Sequence, residues 1–144
     1  MFGNKGAGSA LFALCAVMVS VSAQAANNVA TVIVDNKTAA VATFTYEHLT
    51  GSASPMFAEV SPANTGTFRV TSYADSVSGM RFVYTSGSKK CRFSVSHSAP
   101  PPSYIPSWKK DAASIGSTRA SCTVKIEKIS AQMPYDYTVR FTIQ

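Results

Sequence analysis

Residues able to carry chemistry are scarce in this chain. Seven Asp and Glu, two His and three Cys are the only carboxylate, imidazole and thiol side chains in 144 residues. His48 and His97 stand singly, which excludes the clustered spacing of a zinc site. There is no G-x-S-x-G elbow, no H-E-x-x-H pair and no G-x-x-x-x-G-K-[ST] loop. Glycoside hydrolysis requires two carboxylates facing across a cleft. Here Asp35, Glu47, Glu59, Asp75, Asp111, Glu127 and Asp136 mostly fall in turns or at strand ends. The expectation is a non-catalytic protein without cofactor or metal. A sustained apolar period of 3.6 is also missing, which excludes a helical core.

The one long apolar run covers residues 10–21, shorter than the roughly 20 residues of a membrane span. Lys5 precedes it and Ala23-Gln24-Ala25 follows, the pattern of a cleaved secretory signal over 1–25. The mature chain is then 26–144, exported to a periplasm or secreted, with no transmembrane span after cleavage. Cys15 follows Leu14 rather than a small residue, so lipidation is not expected and Cys15 leaves with the leader. Cys91 and Cys122 remain, an even pair in an oxidising compartment, and a disulfide between them is the default.

What is present is Ser, Thr, Ala and Val with Phe and Tyr, the composition of an antiparallel β-protein. Short alternating segments recur along the chain. Residues 29–34 form an apolar run. Residues 40–47 put Ala42, Phe44 and Tyr46 on one face. Residues 50–55 read as a loop, and 56–60 as a short strand. Residues 67–73, 80–85 and the Cys91 strand are spaced closely enough to predict a β-meander over 67–97. Residues 121–129 carry Cys122, Val124 and Ile126 in one phase; 137–143 carry Tyr137, Val139, Phe141 and Ile143. Seven or eight strands without a helix predict a single all-β domain, an antiparallel two-sheet β-sandwich with one disulfide, or else a small β-barrel.

Two surface features suggest binding. Residues 98–110 are rich in proline and contain Tyr104, Ile105 and Trp108 beside Lys109 and Lys110. As a stiff loop outside the strands they would offer amphipathic rings and cations to a membrane interface, a sugar or a protein. The bland alternative is that Trp108 folds back to cap the sandwich. Lys89, Lys90 and Arg92 flank Cys91, and with Arg69 and Arg81 they would form a basic face if the meander aligns them. Their alternative role is to guard a sheet edge against unwanted pairing. Without Lys5 the chain has twelve Lys and Arg against seven Asp and Glu, a net charge of +5.

The Asn36-x-Thr38 turn and the later Asp75-Ser-Val-Ser-Gly79 turn before a cysteine strand resemble the small β-sandwich cytolysins of the aegerolysin type, which bind membrane lipids. That family's tryptophan-rich and Cys-Pro segments are missing. Ser78-Gly79-Met80-Arg81-Phe82 is similar to a turn of periplasmic lysozyme inhibitors, whose later F-W-x-K-G element is absent here. Three functions follow as expectations. The first is a domain that presents the loop and the basic face to an anionic lipid or polysaccharide surface. The second is an inhibitor or immunity protein with a single protein partner, and the third is a fibre subunit with open strand edges. Nucleic acid is not an expected partner, because no exposed aromatics interleave the basic stripe.

Overall fold

The computed structural model describes residues 26–144; the expected leader, 1–25, lies outside the described residues. Nine strands and no helix make up the described chain: β1 (Val29–Asn36), β2 (Thr43–Leu49), β3 (Gly51–Ala53), β4 (Asn64–Ser72), β5 (Val77–Ser86), β6 (Lys89–Ser98), β7 (Ser107–Ser114), β8 (Cys122–Ile129) and β9 (Tyr137–Ile143). They form a five-stranded sheet in the order β3-β4-β1-β9-β8 and a four-stranded sheet in the order β2-β5-β6-β7. The protein is thus an all-β sandwich with one disulfide. Every ladder is antiparallel except β1 with β9, which run parallel.

Alternation decides which residues meet in the middle. Ala30, Val32 and Val34 of β1 and Tyr137, Val139, Phe141 and Ile143 of β9 are all buried, every second residue along each strand. They face Met80, Phe82 and Tyr84 of β5 and Cys91, Phe93 and Val95 of β6. Phe82 and Phe141 meet edge to face at 5.1 Å, the arrangement favoured by the ring quadrupole. The first and last described strands, β1 and β9, are neighbours inside one sheet.

The disulfide joins Cys91 of β6 to Cys122 of β8, one strand from each sheet, with Cα atoms 5.6 Å apart. It closes the side of the sandwich where β7 and β8 run along each other. Asn36, fully buried, ties the same end of the sandwich, level with Ile143 and Cys122. Its Nδ2 donates to the carbonyls of Ala40 and Val60, both at 2.9 Å, and its Oδ1 accepts from the Thr38 amide at 3.0 Å. The β5–β6 hairpin turns through two residues, and Gly87 takes the positive φ of 60° that a Cβ would disfavour.

Several expectations are corrected. The meander over 67–97 does not exist, because β4 pairs with β1 and β3 while β5 belongs to the other sheet. Alternation reveals a buried face but not the sheet that supplies it, and residues 73–76 cross the sandwich between the two. Residues 107–110, expected to lie in the loop, form edge strand β7 together with 111–114, and its polar outer residues hide the period. Residues 51–53 form a strand, and 56–60 make only one bridge, Val60 with Ala42. Tyr46 keeps the inner phase of β2 but lies beyond the cover of the other sheet and is exposed.

Candidate functional site

The outer face of the four-stranded sheet gathers most of the predicted basic residues. The phase opposite to Cys91 and Phe93 puts Lys90 and Arg92 of β6 outward. Arg81 of β5 and Lys109 of β7 share that side. A bulge in β2 between Tyr46 and His48 sets Glu47 and His48 together opposite Arg81. Glu47 then receives Arg81 Nε and Arg92 Nη2, each at 2.9 Å. Such exposed pairs contribute under about 1 kcal/mol each, but they hold both guanidinium groups in place. Lys90 and Lys109 make no ion pair among the described residues.

Beside this cluster lies an open hollow of about 410 Å³, with His48, Arg81, Lys109, Lys110 and Asp111 as its rim. Gly79, Ser94 and Ser96 line it too, and their small side chains leave the space that larger ones would fill. The serine hydroxyls add neutral donors to the cationic rim. Four cations, Arg81, Lys90, Arg92 and Lys109, face two carboxylates, Glu47 and Asp111, for a net charge of +2 on this face. The chemistry available there is attraction and hydrogen bonding of anions.

The predicted site residues do not all converge. Arg69 lies on β4, paired with Thr31, on the opposite side of the sandwich. The meander that would have aligned it with Arg81 is absent. Lys89 falls in the phase of Cys91 at the hairpin end, and its backbone bridges to Thr118. The expected binding loop divides as well. Only residues 99–106 are loop, with Ile105 69% and Tyr104 43% exposed. Tyr135, on the loop between β8 and β9, donates its hydroxyl to the Tyr104 carbonyl at 3.0 Å, and both tyrosines hold positive φ.

Trp108, Lys109 and Lys110 belong to β7 rather than to the loop. Lys109 points to the basic face, whereas Lys110 Nζ donates to the Val124 carbonyl across the seam at 3.4 Å. Trp108 is half-buried against His97, with ring centroids 5.2 Å apart, and packs edge-on to Tyr137. Trp108 thus packs against the core from strand β7 rather than from a loop folded back over the sandwich. His97 is fully buried there, both ring nitrogens lack a partner, and burial lowers its pKa below the ordinary 6.5.

Sequence reasoning missed His48, Ser94, Ser96 and Gly79 as site residues. A bulge leaves no trace in composition, and serines at alternate positions read simply as solvated. Asn36, part of a glycosylation sequon, is fully buried, so its amide serves the fold. The disulfide fits an oxidising, exported environment, and among the described residues no helix is long and apolar enough to cross a membrane. No protein-family model matches this chain, and no curated protein matches it either.

Proposed function

We propose that this protein is a non-catalytic, exported binding domain that docks on an anionic surface through the outer face of its four-stranded sheet. The observation that carries this is that Arg81, Arg92, Lys90 and Lys109 share one sheet face, where Arg81 and Lys109 border a hollow lined by Gly79, Ser94 and Ser96. Oriented cations over a recess attract phosphate or carboxylate groups, and counter-ions weaken that attraction within a screening length of about 10 Å at 0.1 M salt. Arg69, Lys125, Lys128 and Arg140 make the other sheet face basic too, but three carboxylates, Asp35, Glu127 and Asp136, accompany them there, against two, Glu47 and Asp111, on the favoured face.

The test is binding to vesicles of anionic and of neutral lipid at low and high salt. Binding should need the anionic lipid, weaken several-fold between about 50 and about 300 mM salt as the Debye length falls to roughly half, and drop in the Arg81→Gln/Lys109→Gln variant. Equal binding to both lipids, or indifference to salt, would refute it.

A second reading, a protein-directed inhibitor, draws on loop 99–106. Prolines and the Tyr135–Tyr104 hydrogen bond stiffen it, and Ile105 projects as an apolar anchor. Its sign would be a single stoichiometric protein partner whose capture Ile105→Asp abolishes while Arg81→Gln does not.

A further inference from the structure

The edge of the sandwich away from the disulfide is open. Strands β2 and β3 are the outermost strands of their sheets, and no ladder joins them. Between them runs a groove of about 320 Å³ lined by Phe44, Tyr46, Leu49, Met56, Phe57 and Tyr73. Phe44 and Phe57 stack at 4.8 Å, and Phe57 continues the stack to core residue Phe68 at 4.9 Å, so the groove opens directly on the core. Tyr46, Met56 and Tyr73 are 61%, 68% and 76% exposed at its rim. A Cβ at Gly51 would overlap the Thr71 carbonyl, so glycine is what lets β3 lie flat on β4 and form one wall.

Large apolar side chains gathered around one recess mark a binding site more often than chance exposure does. No charged side chain lines this groove, and none of the unpartnered buried polar atoms belongs to it. Its chemistry therefore selects hydrocarbon over sugar or anion. The groove also shares strand β2 with the cationic hollow. Tyr46 and Leu49 line the groove, whereas His48, turned by the bulge, lines the hollow with Arg81.

Resting on the anionic-surface function proposed above, we infer that the ligand is an anionic amphiphile: one hydrocarbon chain occupies the groove while the acidic headgroup meets His48 and Arg81 around the edge of β2. The ligand is thereby a lipid rather than an acidic polysaccharide.

The experiment is calorimetric titration with monomeric octyl, decyl and dodecyl phosphate, inorganic phosphate and dodecyl maltoside, each below its micellar concentration. Affinity for the alkyl phosphates should rise about fourfold per added methylene, the burial of one CH₂. Tyr46→Ser/Met56→Ser should flatten that increment and leave the salt dependence intact. Both residues are exposed, so the pair can be changed without opening the core. Arg81→Gln should do the reverse. Affinity independent of chain length, or an increment that survives in the Tyr46→Ser/Met56→Ser variant, overturns the groove as the chain's site. If binding then still weakens with salt and with Arg81→Gln, the anionic-surface function stands alone. Dodecyl maltoside binding as tightly as dodecyl phosphate overturns both.

Discussion

Opening the Cys91–Cys122 bridge should loosen one side of the sandwich before it loosens the rest. The bridge spans 31 positions of sequence, and for a closed loop of that size the chain-entropy relation gives about 3.7 kcal/mol at 25 °C. A domain of this length shifts its melting temperature by about 4 °C per kcal/mol, so the reduced protein should melt about 15 °C lower. Reduction with a thiol is the cleaner perturbation, because both sulfur atoms are retained and Cys91, fully buried, leaves no cavity. A Cys91→Ala/Cys122→Ala variant should lose slightly more, since the missing sulfur atoms add a packing cost. In urea the reduced protein should show a larger m value, its unfolded chain being free to expand. Hydrogen exchange should place the loss of protection on β8. That strand is an edge of its sheet, and beyond its pairing with β9 it is held by the bridge, the Lys110–Val124 contact and the partly buried Val124 and Ile126. A shift under about 4 °C would refute the reasoning, since it would leave less than about 1 kcal/mol for the bridge.

Two further perturbations probe the packed end of the sandwich. Burial holds the folded His97 pKa below the ordinary 6.5, so the unfolded chain binds the proton more readily. Its stabilising contribution is present above pH 6.5 and is lost as pH falls through the folded value. Melting temperatures between pH 7.5 and pH 5 should therefore drop more in the parent protein than in His97→Phe; parallel curves would show that His97 does not titrate in this way. Trp108→Ala should destabilise by about 2–3 kcal/mol, below the 3–5 kcal/mol of a fully buried ring, and leave binding to anionic vesicles unchanged. Lost binding at unaltered stability would return Trp108 to the ligand site.

Strand identity was legible where a strand is buried on one face and polar on the other, as in 137–143, whose alternation matches the burial of Tyr137, Val139, Phe141 and Ile143 residue for residue. The cysteine pair was legible because both residues fall in phase with apolar neighbours. Strand partnership was not: Phe68 and Val70 of β4 carry the same pattern whether β5 lies beside them or across the core. Strand β7 was hidden because an edge strand exposes most of its length, and only Trp108 and Ala112 pack toward the core. The cationic cluster was half visible. Arg81 and Arg92 lie on one hairpin, which the short turn between their strands makes visible, whereas Arg69 depends on a sheet order that composition does not encode. The apolar groove left no local signal, since it forms from β2, β3 and residues 56–57 and 73 only once the sheets are stacked.

The central claim is that the outer face of the four-stranded sheet receives anionic groups, and amide chemical-shift mapping with dodecyl phosphate tests it most directly. The account predicts shifts confined to Gly79, Arg81, Ser94, Ser96 and Lys109, with a second set at Tyr46 and Leu49, and loss of the first set in Arg81→Gln. Shifts centred instead on Arg69, Lys125 and Lys128, or on Tyr104 and Ile105, would contradict it.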